Sequence, residues 1–390
     1  MISRKRLAGL VFCLFLVLVW GNGQSIAQTT ELKIGVIAPL SGPGAGWGLA
    51  LRAGAELAAD DVNAQGGLEV AGKKYKIVVI AYDDKYQAQG GADAANRLVF
   101  MDKVKFIVGP MGSAVGLAAQ EFTEPNKVIL IGDSFTTKLL SAKKPYTFRT
   151  TMTTNEFALP LIKWIKGKFN LKRWGFVSTN DESGKEVAAA NIPAHKAVGH
   201  EMVFEDFYER GTADFMPLLS RAFAQQLDAL DIDGAAPGDG GLMVKQSRQM
   251  GFNKLITRVG GPGTPEMIKI AGPKFSENVV YYSPIDPYAP EVVKLSKRYD
   301  AKFPPPMNGF TPQFYDGTLW LFQAIKKAGT VTDTDKVMEA LANSSYEGRC
   351  TGPMSWIGKA TYGIDRQVKF PFYACEVKDG RESVIAKITP

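Results

Sequence analysis

Hydroxyl side chains follow two neighbouring segments of the chain that have the composition of buried strands, and each of the two loops leads toward a sequence with helical spacing. The residues concerned are Ser113 and Ala114 in the first loop and Ser134, Phe135 and Thr136 in the second. Backbone N–H groups at a helix start, with Ser and Thr hydroxyls beside them, can hold a carboxylate without a full cationic partner. Alternatively, Ser113 and Ser134 only cap the helices that follow. Both interpretations remain open.

A tryptophan stands among glycines in an earlier loop. Trp47 is flanked by Gly46 and Gly48 and follows a strand-like run. Its indole ring could stack over an apolar ligand or could equally anchor the core. The glycines superficially resemble a dinucleotide fingerprint, but Leu49 stands where the last glycine would be required. Residues 67–74 imitate a phosphate loop but precede a strand, so no nucleotide site is predicted.

The chain has few of the side chains that hydrolytic catalysis or metal binding requires. Its two histidines, His195 and His200, flank a glycine at a predicted helix end and are expected at the surface. There is no Gly-x-Ser-x-Gly elbow, and no cysteine–histidine pairing suits a metal. We therefore expect neither catalysis, nor a cofactor, nor a bound metal.

Apolar runs of strand length alternate with helical patterns along the chain. These runs are residues 32–38, 75–81, 105–108, 128–131, 173–177, 202–207 and 227–230. The alternation predicts an α/β fold in which helices cover both faces of parallel sheets. Ligands of such sheets bind beyond the carboxyl ends of the strands, which is where the hydroxyl-rich loops lie.

The length and the rhythm of the elements predict two lobes. About 360 residues remain after the leader described below, which is too many for one compact core. The strand–helix pattern restarts near Phe148, and late helices suggest that the chain returns to its first half. We predict a first lobe of residues 28–148 plus 276–350 and a second of residues 149–275 plus 351–390, with three crossings between them.

The N-terminus has the pattern of a secretory signal peptide. Residues 4–6 are basic, residues 7–20 are apolar, and residues 25–27 form a small-x-small site, so residues 1–27 are predicted to be removed. Three positive charges of the net +7 lie in this leader, which leaves +4. Export and the scattered Lys and Arg side chains argue against a nucleic-acid partner. A periplasmic location is predicted.

Two cysteines, Cys350 and Cys375, remain in the mature chain. If residues 348–356 and 367–377 pair as a hairpin, the two cysteines fall opposite each other, and a disulfide in an oxidising compartment is geometrically reasonable. The alternative is a pair of free buried thiols.

Six segments together resemble the type I periplasmic binding proteins, in particular the leucine/isoleucine/valine-binding branch that serves ABC importers. The segments are residues 34–42, 61–67, 109–113, 211–215, 244–248 and 352–356. The resemblance implies two doubly wound parallel-sheet lobes joined by a three-stranded hinge. It also implies that a small solute is captured by hinge closure and delivered to a membrane permease with its ATPase. We expect a monomer.

The resemblance also implies roles for individual residues of the first lobe. In this family a serine after the third strand and groups after the fourth strand hold the ligand's carboxylate; Ser113, Ser134 and Thr136 match these positions, and Phe135 is close by. Trp47 matches an aromatic that covers the ligand. Phe310 matches a further wall residue.

The second lobe departs from the amino-acid-binding pattern. Ser183 stands where relatives have a tyrosine, and an expected aromatic is missing near Asp239. No acidic acceptor for an ammonium is found around Gly263, where the family pattern leads us to expect one. Because a buried ammonium without a carboxylate costs several kcal/mol, we expect a carboxylate or amide ligand that lacks an α-amine, such as an aromatic or branched acid.

Three alternatives remain open. Asp181, Glu182 or Asp239 could supply the missing charge, which keeps an amino acid among the candidate ligands. The same lobes could serve a sensor that reports to a membrane receptor. A secreted amidase-type enzyme is the third alternative, and its weakness is the absence of a base–nucleophile pair.

Overall fold

The computed structural model describes residues 30–389, so the predicted signal peptide of residues 1–27 lies outside the described residues. The strands are β1 (Thr30–Ala38), β2 (Leu68–Val70), β3 (Lys73–Asp83), β4 (Phe106–Met111), β5 (Ile129–Asp133), β6 (Thr147–Arg149), β7 (Arg173–Thr179), β8 (Glu201–Tyr208), β9 (Ala229–Asp231), β10 (Leu255–Arg258), β11 (Val279–Ser283), β12 (Tyr346–Gly348), β13 (Gly352–Ile357), β14 (Gln367–Lys369), β15 (Phe372–Lys378) and β16 (Arg381–Ile388). The helices are α1 (Ala45–Ala64), α2 (Ala88–Asn96), α3 (Ser113–Thr123), α4 (Thr154–Phe169), α5 (Glu182–Ala197), α6 (Met216–Phe223), α7 (Pro237–Gln249), α8 (Thr264–Ala271), α9 (Pro290–Asp300), α10 (Phe310–Ala328), α11 (Thr334–Ala342) and α12 (Lys359–Tyr362). Within the described residues, none of these helices is both long enough and apolar enough to cross a bilayer.

The first sheet has nine strands in the order β12-β13-β14-β6-β5-β4-β1-β3-β2. Its centre, from β3 through β6 to β14, is parallel, and antiparallel strands extend it at both ends. The inner strands read as continuous apolar runs because both faces are covered by helices. We call this sheet with its helices the first lobe.

The second sheet has seven strands in the order β16-β15-β11-β10-β9-β7-β8. The strands from β8 to β11 are parallel, and β15 and β16 extend the sheet antiparallel. We call this sheet with its helices the second lobe. The predicted α/β class with two parallel-dominated sheets is confirmed.

The late helix α10 returns to the first lobe and packs along α1. A close approach at Gly54 permits this contact, because a Cβ atom there would lie 2.6 Å from the Thr311 carbonyl oxygen. The second lobe begins with α4, which opens with a capping box formed by Thr153 and Glu156. Helix α10 therefore packs in the first lobe, and the capping box marks the start of the first helix of the second lobe.

The chain crosses between the sheets three times, after β6, after β11 and after β14. The last crossing differs from the prediction, which gave all of residues 351–390 to the second lobe. Strands β13 and β14 belong to the first sheet, since Gln367 pairs with Arg149 of β6. The crossing falls at residues 370–371, because Pro371 has no N–H with which to continue the ladder.

The predicted disulfide is wrong for the same reason. Cys375 lies on β15 of the second sheet, opposite Tyr281 and Val384. Cys350 precedes β13 in the first lobe, where its N–H donates to Asp316 at 2.9 Å. The predicted hairpin partner is divided between two sheets, so both cysteines are free thiols.

The two histidines are buried, which corrects the prediction of a surface position. His195 and His200 are 0% and 4% exposed and pack against the Trp174 ring. Their Nδ1 atoms are 2.8 Å apart, and His195 Nε2 lies 3.2 Å from Asp231 Oδ2. Burial lowers the pKa of His200 to about 4, with His195 adding to the effect. The pair belongs to the core of the second lobe.

Candidate ligand-binding site

The two hydroxyl-rich loops meet at the carboxyl edge of the first sheet. Ser113, Ser134 and Thr136 are almost completely buried. The Ser113 hydroxyl accepts the Thr136 N–H at 3.2 Å and is contacted by the Ser134 hydroxyl at 3.4 Å. The loops are also tied by their backbones, since the Gly112 N–H donates to the Asp133 carbonyl at 2.8 Å.

The capping interpretation fails for Ser113. Gly112, with φ 99°, occupies the N-cap position of α3, and Ser113 is already the first helical residue. The hydroxyl of Thr136, rather than that of Ser134, caps the next turn by accepting the Lys138 N–H at 3.2 Å. The Ser113 side chain is therefore directed to the loop contacts and not to its own helix.

A small cavity lies between the two lobes above these loops. Four aromatic side chains contribute to its wall, and in this closed arrangement the lining residues leave almost no free space between them. The lining residues are Trp47, Tyr86, Met111, Gly112, Asp133, Phe135, Gly234, Gly261 and Phe310. Within this wall, the Trp47 ring lies 6.3 Å from the Tyr86 ring and 6.4 Å from the Phe310 ring. The wall is mainly apolar. Its ionisable groups are the Asp133 carboxyl and the Tyr86 phenol.

The second lobe closes directly onto these elements. Ser183, in the first turn of α5, accepts hydrogen bonds from the Ser113 N–H at 3.0 Å and from the Tyr86 hydroxyl at 3.3 Å. The Trp47 indole N–H donates to the Pro262 carbonyl of the second lobe at 2.6 Å. These contacts define a closed arrangement of the lobes.

Two further sets of contacts join the lobes. The Asn308 amide donates to the Gly46 carbonyl in the first lobe and to Glu266 in the second, at 3.0 and 2.5 Å. The Thr136 hydroxyl donates to Glu186 of α5 at 2.9 Å. Polar side chains therefore hold the two lobes together beyond the cavity wall itself.

Arg210 of the second lobe reaches over the aromatic wall of the first. Its guanidinium carbon lies 4.7 Å from the Tyr86 ring centroid and 5.6 Å from that of Trp47, which are cation–π distances. Its nitrogens donate to Asp181 at 2.7 and 3.0 Å. Burial alone would raise the pKa of Asp181, but Arg210 together with the Gly184 N–H and the Thr179 hydroxyl outweighs burial, so the pKa is lowered. Asp181 is therefore already paired.

Asp133 supplies a carboxylate to the crevice. It is 2% exposed, and its Oδ1 accepts the Thr151 hydroxyl at 2.6 Å. Burial raises the pKa of Asp133 to about 6, against the lowering effects of Thr151 and Arg149. At neutral pH this carboxyl is therefore mainly ionised.

The remaining predicted site residues lie at the margin of the cavity or outside it. Gly263 has φ 133°, and a Cβ there would approach Pro237 to 2.5 Å, so the close packing of the loop needs glycine. Asp239 is buried in the first turn of α7 and accepts the Gly211 N–H at 3.3 Å. Ala114 is exposed on α3 and does not line the cavity. Glu182 forms a peripheral ion pair with Lys138 at 3.4 Å.

Sequence reasoning missed three residues of the crevice: Tyr86, Asp133 and Arg210. Asp133 was detectable, because it lies two residues after the predicted strand of residues 128–131 and immediately before Ser134. Tyr86 has φ 60° in the loop after β3, and the sequence carries no signal that its ring turns toward Trp47. Arg210 lies in the loop after β8, and only the meeting of the two lobes gives it a role.

Comparison with known proteins places this architecture in a family. Residues 31–382 match the family described as periplasmic binding protein. The Leu/Ile/Val-binding protein BraC3 of Rhizobium johnstonii is 29% identical over 335 residues, which cover 85% of this chain and 88% of the relative. A leucine-, isoleucine-, valine-, threonine-, and alanine-binding protein of Pseudomonas aeruginosa is 26% identical over 324 residues, covering 83% and 85%.

Solved structures share the same fold. The branched-chain amino acid transporter substrate binding protein LivJ of Streptococcus pneumoniae, in complex with isoleucine, superposes with a TM-score of 0.79 at 25% identity and covers 92% of this chain and 99% of its own. A solute binding protein of an ABC transporter from R. palustris, in complex with benzoate, has a TM-score of 0.79 at 20% identity, with 92% and 97% covered. With a match that spans nearly the whole described chain, the protein belongs to the periplasmic binding protein family.

Proposed function

We propose that this protein is the extracytoplasmic solute-binding component of an ABC importer, and that it captures a small carboxylate-bearing solute between its lobes. One observation carries the proposal: the Ser113 N–H donates across the cleft to Ser183 of the second lobe, beside a cavity between the lobes whose wall is aromatic. Relatives named as Leu/Ile/Val-binding proteins and structural neighbours bound to isoleucine or benzoate support it.

The carboxylate would bind at the Ser113 and Thr136 loops. Backbone N–H groups at the start of α3 favour an anion through both hydrogen bonding and the helix dipole. The Ser113 N–H at present donates to the Ser183 hydroxyl at 3.0 Å, so an incoming carboxylate oxygen would take over a donor that already points from the first lobe to the second.

The body of the solute would lie among Trp47, Tyr86, Phe135 and Phe310. The cavity is nearly filled by its own lining side chains in this closed arrangement, so the lobes must part to admit a solute. Such a narrow site favours a solute of one ring or one branched chain over a peptide or a nucleotide. When the lobes close over the solute, the hydrogen bonds of Ser183 and Trp47 would either shorten or pass to new partners.

Hinge closure would be the functional step. A solute that contacts both lobes stabilises the closed arrangement relative to the open one and so shifts the population toward it. The closed form would be recognised in the periplasm by a membrane permease and its ATPase. In this mechanism the protein acts as a monomer, and no bond of the solute is made or broken.

The test begins with identification of the solute. Mass spectrometry of small molecules released from the purified, denatured protein should reveal a low-molecular-weight acid, and calorimetric titration with that compound should give one site per chain. Ser113→Ala should weaken binding at least tenfold, because it removes the hydroxyl that orients the Thr136 loop. The matched control is Ser220→Ala on the exposed side of α6, which should leave binding unchanged. Equal affinities of the two variants would contradict the assigned site.

A further inference from the structure

Glu266, in the first turn of α8, has its carboxylate on the boundary between the two lobes. Its Oε1 accepts the Asn308 amide of the first lobe at 2.5 Å, and the same amide donates to the Gly46 carbonyl at 3.0 Å. Its Oε2 is buried, and no donor within residues 30–389 contacts it. A Cβ atom at Gly46 would lie 3.8 Å from Oε1. The second lobe therefore supplies the acid, and the first lobe covers it.

Ionisable side chains from three other elements face this carboxylate. Arg258 of β10 stabilises the ionised form, and Glu382 of β16 opposes it. Tyr299 of α9 lies on the side of the first lobe, and Glu266 helps to raise the pKa of its phenol to about 12 after burial. Helix α7 meets α8 at Gly241, where a Cβ atom would collide with α8, so it brings no charged side chain to that contact. Arg258 is the cation among these groups.

Arg258 acts on Glu266 across space, without an ion pair among residues 30–389. Its Nη2 donates to the Ala235 and Pro262 carbonyls at 2.9 and 3.4 Å, and its Nε and Nη1 have no partner within the same residues. Arg258 and Glu382 belong to the second lobe and stay beside Glu266 when the lobes part, so they act on both arrangements. What closure adds is the cover from the first lobe.

This cover changes the affinity of Glu266 for a proton. Burial raises the pKa of Glu266 to about 7, against the lowering effects of the Asn308 amide and Arg258. When the lobes part, water reaches the carboxyl, and its pKa falls toward the ordinary value of about 4.3. The closed form therefore binds more protons than the open form, and closure gains stability as the pH falls through about 7 and loses it as the pH rises. A protonated Oε2 leaves Oε1 able to accept from Asn308.

We propose that Glu266 and Asn308 form a proton-sensitive latch of the hinge, in which a proton on the Glu266 carboxyl stabilises the closed arrangement and its loss weakens that arrangement. This role rests on the hinge closure of the proposed function and adds a dependence on the pH of the surroundings. Neither residue lines the cavity, so the latch acts on closure without contact to the solute.

The experiment measures closure through binding at two pH values. Benzoate, leucine and isoleucine, whose charges change little between pH 6 and pH 8, are titrated calorimetrically into the wild type and Glu266→Gln. The wild type should bind the tightest of the three about tenfold more tightly at pH 6 than at pH 8. Glu266→Gln is neutral at both values, so it should lack this increase and bind more tightly than the wild type at pH 8. Glu347→Gln, exposed on β12, is the matched control and should behave as the wild type.

The comparison isolates the latch from other buried acids. Asp133, whose pKa is raised to about 6, titrates in both proteins, and its effect cancels in their difference. A second variant does not depend on the folding of Glu266→Gln. Asn308→Asp places another carboxylate against Glu266, and because two such groups share one proton, closure should become more dependent on pH, with its midpoint at higher pH.

Small-angle X-ray scattering of the solute-free protein keeps the test independent of the solute. The wild type should be more compact at pH 6 than at pH 8, and Glu266→Gln should be equally compact at both. Equal pH dependence of affinity in the wild type and Glu266→Gln would overturn the latch. If none of the three compounds binds, the proposed solute class is in error, and an unchanged scattering curve between pH 6 and pH 8 would then overturn the latch on its own.

Discussion

Trp47 offers a direct measure of how much one contact between the lobes contributes to binding. Its indole N–H donates to the Pro262 carbonyl at 2.6 Å, and that carbonyl has only one other side-chain contact in the described chain, from Arg258 at 3.4 Å. Trp47→Phe removes the donor but keeps an aromatic ring beside Tyr86 and Phe310. A neutral hydrogen bond of this kind contributes about 0.5–1.5 kcal/mol net.

This free energy converts into an affinity change. If the free protein is mainly open, the whole loss falls on the closed, solute-bound form, and the dissociation constant should rise about 2- to 13-fold. Calorimetric titration with the tightest-binding solute measures this change. Small-angle scattering should show that a larger solute excess is needed to reach the compact form.

A matched control separates closure from general stability. Trp356→Phe loses an indole hydrogen bond of similar length, 2.7 Å to the Leu341 carbonyl, but both partners belong to the first lobe. It should lower the thermal midpoint without weakening solute binding. If Trp47→Phe changed affinity no more than Trp356→Phe does, Trp47 would have no part in closure.

Two further predictions concern packing and thiols. Gly54→Ala should lower the free energy of unfolding by about 1–3 kcal/mol, since its Cβ would collide with the backbone of α10. Gly167→Ala, in the exposed last turns of α4, should instead raise the free energy of unfolding by about 0.5–1 kcal/mol. Chemical denaturation measures both changes, and equal effects of the two variants would disprove the packing argument. Cys350 and Cys375 should both be alkylated after denaturation without reductant, and reductant should not shift the melting midpoint; recovery of an intramolecular disulfide by mass spectrometry would contradict the separation of the two sheets.

The regular elements were predictable because their signals are local. The apolar run at residues 173–177 became β7 (Arg173–Thr179), and the run at residues 128–131 became β5 (Ile129–Asp133). The prediction for the last part of the chain was wrong. Residues 367–377 have the pattern of one strand, but this segment is divided at Pro371 between the two sheets. A pairing of strands more than 200 residues apart, as for Gln367 with Arg149, leaves no mark in local periodicity.

The candidate site was predictable on one side only. Ser113, Ser134 and Trp47 follow strands or open helices, so their position at the edge of the first sheet could be anticipated. Arg210 acquires its neighbours only when the lobes meet, and no local pattern reports that contact. Asp133 was visible in the sequence, but no local signal marks it as part of the cavity wall.

The long-range pairing of β14 with β6 also sets an order for assembly. Strand β6 ends at Arg149, yet its neighbour on one side begins at Gln367, after the whole of the second sheet's parallel region has been made. Until then the unfinished sheet presents an open edge, and such edges invite pairing with other chains. A nascent or truncated polypeptide that stops before Gln367 would therefore be prone to aggregation through its amino-terminal half. The first sheet, although most of it is synthesised early, is complete only when β14 near the end of the chain has been made.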